Sequence, residues 1–168
     1  MSVTPLLCGC LVDDPPAYTA PQQTAPRLLG TRATPPLDEV ITTKQGDAVE
    51  FTVPVMSEDA GERLVAKLLF DYDDMGAEIA TDTQLPPSTL DEGERTLHLV
   101  WSVRSGITAG CHRLTLRVTH GSNFTNGPEV IDRADTDEVY WFANINVTPQ
   151  NINSLVGCPR ASLPGSAR

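Results

Sequence analysis

The sequence is poor in aromatic and basic residues. Aromatic residues make up 5% of the 168 positions, and 12 lysine and arginine residues are outnumbered by 22 aspartate and glutamate residues, giving a net charge of −10. A surface this acidic repels phosphate groups, so we expect no nucleic-acid partner. The scarcity of rings argues against a receptor site lined with them. No run of 18 apolar residues occurs, so no membrane-spanning helix is predicted.

The motifs of nucleophilic, phosphate-binding and zinc chemistry are also missing. The sequence contains no Gly-x-Ser-x-Gly, no Gly-rich phosphate loop and no His-Glu-x-x-His. Its three histidines are His98, His112 and His120, and none has a carboxylate or a second histidine at a metal-binding spacing. We therefore expect a protein that is not an enzyme and that uses no cofactor and no small-molecule substrate.

The 14 prolines are unevenly distributed, since seven of them lie in residues 1–36. This stretch shows no hydrophobic periodicity. We predict an extended, partly polyproline-like tether over residues 11–36, with a boundary at Pro36. A folded domain is expected over residues 37–149. Residues 150–168 are polar and rich in turn formers, so they are predicted to form a C-terminal tail.

Within residues 37–149, apolar and polar residues alternate in several short segments, which is typical of strands with one wet face. The predicted strands are Val40–Thr43, Ala48–Val55, Leu64–Asp71, Glu78–Thr81, Thr96–Val103, His112–Thr119 and Val139–Val147, the first and fourth being short edge strands. Seven short strands without crossover helices favour an all-β, antiparallel β-sandwich. Pro54 lies on the outward phase of its strand, which predicts an edge position or a bulge there.

The segment Gly110–His120 reads Gly-Cys-His-Arg-Leu-Thr-Leu-Arg-Val-Thr-His. It resembles the penultimate strand of bacterial immunoglobulin-like domains, in which a glycine and an aromatic residue precede an alternating Leu/Val strand. Val139–Val147 is similar to the terminal strand of the same domains. The resemblance covers residues 37–148 and implies an immunoglobulin-like β-sandwich of about seven strands. His112 stands at the aromatic position, and the inter-sheet cysteine pair of antibody domains is missing. The resemblance implies little about function.

The N-terminal sequence Leu7-Cys8-Gly9-Cys10 resembles the lipobox of bacterial lipoproteins, in which leucine at −3 and glycine at −1 precede the acylated cysteine. The resemblance implies that residues 1–10 are a truncated signal and lipobox segment whose start lies upstream, and that cleavage before Cys10 makes this cysteine the lipidated N-terminus. Leu11, rather than aspartate, follows that cysteine, which favours the outer membrane. The alternatives are an ordinary N-terminus with a chance Cys-x-Cys, and a metal or redox role for Cys8 and Cys10.

Two cysteines remain if Cys10 is acylated and Cys8 is removed with the signal peptide. Cys111 and Cys158 then form a natural disulfide in an exported protein, and the alternative is two unrelated thiols. Cys111 shares its strand phase with Arg113, so it is predicted to point away from the core. The bond would hold the C-terminal tail across the outside of a sheet.

Two acidic clusters are candidates for calcium, because oxygen-rich loops at the end of a sandwich can supply the six to eight oxygens that Ca²⁺ takes. Neither cluster matches an EF-hand loop, and solvated acidic loops are the favoured interpretation. The calcium candidates are Asp71, Asp73, Asp74, Asp132, Asp135 and Asp137.

Tyr140 and Phe142 lie on the phase opposite Trp141 in the last predicted strand. Outward aromatic residues often mark a contact surface, so these two are candidates for binding a partner. The alternative is that the C-terminal tail covers them with Ile152, Leu155 and Val156, or that they reflect strand propensity alone.

These patterns together predict a non-catalytic, lipid-anchored structural or protein-interaction module of the cell envelope, attached to the outer membrane and lying in the periplasm. Its expected partners are the membrane, through the N-terminal lipid, and an envelope protein. The alternatives are a Ca²⁺-dependent adhesion or carbohydrate-binding module, an envelope hydrolase, and a subunit of a larger assembly.

Overall fold

The computed structural model describes residues 24–59, 61–73, 76–88, 93–147 and 158, and these residues form an all-β fold. No described segment is a helix with the length and apolarity needed to cross a membrane. The described strands number eight, and seven of them correspond to predicted strands. They are β1 (Arg27–Leu28), β2 (Ile41–Thr43), β3 (Ala48–Met56), β4 (Leu64–Asp73), β5 (Gly76–Leu85), β6 (Glu94–Ser102), β7 (Gly110–His120) and β8 (Thr136–Ile145).

The eight strands form two sheets. One has the order β1-β3-β6, and the other has the order β2-β8-β7-β4-β5. All strand pairs are antiparallel except β2 with β8, which is parallel. The prediction of a wholly antiparallel sandwich is wrong at this pair, because β2 and β8 are far apart in sequence and no hairpin forces their direction.

The core lies between the two sheets, and the period-two alternation explains its composition. Apolar residues at every second position of β3, β6, β4, β7 and β8 point into the gap and are buried. Phe51 of one sheet contacts Trp141 of the other edge to face, with ring centroids 4.8 Å apart. The inward residues of β4, β6 and β7 are Leu64, Ala66, Leu68, Leu97, Leu99, Trp101, Leu114, Leu116 and Val118.

The predicted boundary at Pro36 is wrong, because residues 24–36 belong to the fold. Leu28 is 6% exposed and pairs with Val55 through β1, and Ala33 is also buried in the core. The indole nitrogen of Trp141 donates a hydrogen bond of 2.8 Å to the carbonyl of Pro35. A two-residue strand gives no readable alternation, so the sequence did not reveal it. The remainder of the predicted tether, residues 11–23, lies outside the described residues.

The prediction that Pro54 lies on an edge strand is wrong, since β3 is the middle strand of its sheet. The carbonyl of Pro54 accepts a hydrogen bond from the backbone N–H of Leu29, on the β1 side. Because N–H and C=O of one strand residue point to the same side, the missing donor of Pro54 also faces β1 and leaves the β6 pairing intact. The second predicted edge strand, Glu78–Thr81, is the longer β5, which does lie at a sheet edge.

The contribution of residues 24–36 is tested by Leu28→Ala. Removing a buried leucine side chain should lower the free energy of unfolding by about 2–5 kcal/mol. Val100→Ala is the matched control, because Val100 is 54% exposed on β6, and its effect should be about 0.5 kcal/mol or less. Urea unfolding measures the free energy of unfolding of both variants. Equal effects of the two substitutions would show that residues 24–36 do not contribute to the fold and that the domain begins after Pro36.

Candidate functional site

Tyr140 and Phe142 lie on the outward face of β8, as their phase predicts. Their rings meet edge to face with centroids 5.7 Å apart. Tyr140 is 52% exposed, whereas Phe142 is half-buried. Directly across from them on β7 lie Thr115 and Arg113. We call Tyr140, Phe142 and Arg113 the outer aromatic patch; it offers two rings and a guanidinium group, the residue types that are enriched in protein interfaces.

The structure joins Cys111 to Cys158 by a disulfide next to this patch, with the two Cα atoms 4.7 Å apart. Cys111 lies opposite Asn144 on the outward face of the β7–β8 pair. The amide oxygen of Asn144 accepts a hydrogen bond of 2.9 Å from the backbone N–H of Cys158. The chain is therefore fastened to the outside of the sheet at Cys158. The tail residues Ile152, Leu155 and Val156, predicted as a cover for the patch, lie outside the described residues, as does the predicted lipidation site Cys10.

The calcium candidate Asp71 makes hydrogen bonds at the end of the β4–β7 strand pair. It has a left-handed backbone conformation with φ of 48°, which aspartate tolerates better than most residues. One carboxylate oxygen accepts a hydrogen bond of 2.9 Å from the backbone N–H of Arg113, and the other lies 2.7 Å from Nδ1 of His112. The carboxylate closes the end of the strand pair, just beyond the last paired residue, Phe70.

The carboxylates of the other acidic cluster, Asp132, Asp135 and Asp137, also accept hydrogen bonds from neighbouring protein groups. Asp132 accepts a hydrogen bond from the backbone of Ala134 and caps a short 3₁₀ turn, and Asp137 accepts one of 2.7 Å from the backbone of Leu28. Asp135 faces a ring nitrogen of His120 at 2.6 Å. Among the described residues, no three His, Cys, Asp or Glu side chains form a group that could hold a metal ion. Asp74 and the side chain of Asp73 are not described.

The three histidines have different environments. His98 is exposed, and its ring lies 3.3 Å from the hydroxyl of Thr52. His112 is buried and stacks on Phe70 at 4.9 Å. Its Nε2 faces the carbonyl of Thr108 at 2.9 Å, and its Nδ1 faces the carboxylate of Asp71. Each ring nitrogen of His112 thus faces a hydrogen-bond acceptor, which fixes the orientation of the ring.

The outward face of β7 is not wet, although its polar residues predicted a solvated face. Thr115, Arg117 and Thr119 are buried. The connection between β7 and β8, residues 121–135, folds back over this face and forms a small bridge between Phe124 and Val130. The alternation in the sequence gives the face on which a residue lies, and nothing in it predicts that a loop returns to cover that face.

Two buried cations lie beneath this connection, and sequence reasoning missed both. Lys67 donates a hydrogen bond of 2.5 Å to the carbonyl of Gly127, and its ammonium lies 4.2 Å from the centre of the Phe124 ring. Arg117 donates to Glu138 at 2.5 Å and to the carbonyl of Pro128 at 2.7 Å. Loop carbonyls, a ring and a carboxylate thus replace the water that each cation loses.

Comparisons with known proteins give no family assignment. No family model matches the chain, and no curated protein matches it. Solved structures do match, and three of them each share 11% identity with this chain. The CARDB domain of the PF1109 protein from Pyrococcus furiosus, in complex with di-metal ions, has a TM-score of 0.38, with 63% of this chain and 80% of that chain covered. The Niemann-Pick type C2 protein from Japanese carpenter ant has a TM-score of 0.39, with coverage of 73% and 90%.

A third solved structure is AvmM, described as catalysing macrocyclization in alchivemycin A biosynthesis, with a TM-score of 0.34 and coverage of 76% of this chain and 92% of that chain. With TM-scores this low, none of the three bears on what this protein does.

The disulfide between Cys111 and Cys158 should make stability depend on redox conditions. The two residues are 47 positions apart, and the loop-entropy relation gives about 4 kcal/mol for a loop of that length. Reduction with dithiothreitol should therefore lower the urea midpoint clearly. A Cys111→Ser, Cys158→Ser double variant should show the lower midpoint with or without reductant, and a midpoint equal to that of the oxidised wild type would contradict the expectation.

Burial of Lys67 should give a pH dependence of a definite sign. Burial lowers the pKa of Lys67 from its ordinary 10.5, and Asp82 partly offsets this. Between the two pKa values the folded protein binds fewer protons than the unfolded chain, so stability rises with pH in that window. We expect the wild type to gain stability relative to Lys67→Met between about pH 7 and about pH 10. Urea unfolding of both proteins at both pH values measures this difference in the free energy of unfolding. A difference that is the same at both pH values would show that burial does not lower the pKa of Lys67.

Proposed function

We propose that this chain is a non-catalytic protein-interaction module of the bacterial cell envelope, exported and anchored by a lipid on Cys10, with an immunoglobulin-like sandwich as its folded part. The observation that supports the interaction role is the outer aromatic patch beside the Cys111–Cys158 disulfide. The patch presents the exposed ring of Tyr140 on a sheet, and the Cys111–Cys158 disulfide fixes the chain beside it. Rigid aromatic groups bind a partner with little loss of side-chain entropy.

The strand order supports an immunoglobulin-like arrangement. β1, β3 and β6 make one sheet, while β2 runs parallel to the last strand in a sheet that continues through β7, β4 and β5. The chain passes from one sheet to the other at every connection except β4–β5 and β7–β8, where consecutive strands pair with each other. Such crossings between two sheets are typical of Greek-key sandwiches.

The disulfide supports export, because such bonds form and persist in oxidising compartments. The Leu7-Cys8-Gly9-Cys10 sequence supports the lipid anchor, and the prolines after it suit a spacer that holds the domain away from the membrane. Acyl chains contribute about 0.8 kcal/mol for each buried CH₂ group, so more than one chain on Cys10 would hold the protein firmly at the bilayer.

Intact-mass analysis of the natively expressed protein tests the anchor. We expect a mature chain that begins at Cys10, carries fatty acyl chains and has lost two hydrogen atoms through the disulfide. Cys10→Ala should abolish acylation and release the protein from the membrane fraction, whereas Val12→Ala, two residues later, should do neither. A mature protein that keeps residues before Cys10 and carries no lipid would disprove the anchor.

The interaction role is tested at the outer aromatic patch. Chemical cross-linking in cells should give a discrete adduct of the wild-type protein that Tyr140→Ala and Phe142→Ala reduce at least about tenfold, as expected for aromatic anchors. Val100→Ala, an exposed apolar residue on the other sheet, should leave the adduct unchanged. Thermal midpoints confirm that the variants are folded. An adduct that persists in both patch variants would remove the patch as the binding surface.

A further inference from the structure

One end of the gap between the sheets is polar. At this end of the gap the apolar inward positions of β3, of β6 and of Leu114–Val118 in β7 give way to Ser57, Arg95 and His120. Ser57 donates its backbone N–H to Gly93, two residues before Arg95, so their side chains are diagonal neighbours on one inner face. His120 lies opposite Leu64 at the same end of the facing sheet.

Arg95 bridges the two sheets at this end. From β6 its Nη1 donates hydrogen bonds to the carbonyl of Glu62, at 2.9 Å, and to the carbonyl of Pro86, at 3.1 Å. These carbonyls lie just before β4 and just after β5, in the opposite sheet. Both hydrogens of Nη1 are used, so the guanidinium plane is held in a fixed orientation.

The other edge of this guanidinium has no partner. Nε and Nη2 of Arg95 are shielded from solvent and make no hydrogen bond. No carboxylate of the described residues forms an ion pair with Arg95. Burial lowers the pKa of Arg95, which reflects the cost of holding the cation without a counter-charge. The Nε–Nη2 edge is the fork that binds the two oxygens of a carboxylate side by side.

Two further buried groups at this end also lack partners. The hydroxyl of Ser57 and Nε2 of His120 are both shielded from solvent, each residue being 1% exposed. Nδ1 of His120 is held by Asp135, while Nε2 lies 3.8 Å from a carboxylate oxygen of Asp59, too far for a hydrogen bond. Buried polar atoms in folded proteins are normally paired, so a cluster of them indicates an absent partner.

We infer that this end of the sandwich is a binding site for a carboxylate, held by the Nε–Nη2 edge of Arg95 and by the hydroxyl of Ser57. A single negative charge fits the site better than phosphate does. Arg95 supplies one positive charge, and the carboxylate of Asp59, 3.8 Å from Nε2 of His120, disfavours a doubly charged anion. His120, whose Nδ1 is held by Asp135, lies at the same end of the gap.

The test compares sodium acetate with sodium chloride at equal ionic strength, using the full-length protein. If acetate binds with a dissociation constant of about 5 mM, 50 mM acetate should raise the thermal midpoint by about 3 °C, and phosphate should raise it less. Arg95→Lys keeps the charge and loses the fork, so it should abolish the rise, and Ser57→Ala should weaken it. Arg32→Lys is the matched control, because Arg32 is exposed and pairs with Glu94, and it should keep the rise.

A second measurement does not depend on the stability of the variants. In ¹H–¹⁵N spectra of the wild type, the Nε–H signal that disappears in Arg95→Lys should shift saturably with acetate. Absence of that shift, or an equal midpoint rise in Arg95→Lys, would overturn the inference. A third outcome would also overturn the inference. If Asp91→Asn or Glu92→Gln lowered stability as much as Arg95→Met does, and if that variant responded to acetate while the wild type did not, a carboxylate of the chain itself would occupy the Nε–Nη2 edge of Arg95.

Discussion

The burial of β7 on both of its faces is the constraint on which the rest of the structure depends. Its inward residues complete the core with those of β3 and β6, and its outward residues Arg117 and Thr119 lie beneath the connection formed by residues 121–135. A strand buried on both sides is normally apolar throughout. Because β7 alternates, each buried outward polar group on it needs a partner, and the surrounding loop and strands supply partners for Arg117 and Thr119.

The partners come mainly from backbone and short polar side chains. Asn123 donates to the hydroxyl of Thr119 and to the carbonyl of Asp132, while its own oxygen accepts from the backbone of Asp132. Arg117 and Lys67 bind loop carbonyls. The loop is thereby held on the sheet by the groups that it covers. The same logic makes the unpaired edge of Arg95 unusual, since Lys67 and Arg117 have both found their acceptors.

Some features were predictable and others were not, as individual residues show. The alternation in Val139–Val147 placed Trp141 inward and Tyr140 outward, as the structure has them. The phase of Cys111 placed it on the outside of the sheet, where Cys158 lies. The strand at Arg27–Leu28 escaped detection because two residues have no periodicity, and the proline-rich composition around them is typical of a tether.

The sequence by itself determined the all-β class, the approximate positions of seven strands, and the two faces of the five strands that alternate clearly, because a period of two is a local property of the backbone. Only the tertiary structure decided which strands are neighbours and that β2 runs parallel to β8. It also decided that a loop covers Lys67 and Arg117, and that Ser57, Arg95 and His120 lie at one end of the gap. Those outcomes depend on contacts between residues far apart in the chain, for which a single sequence contains no local signal.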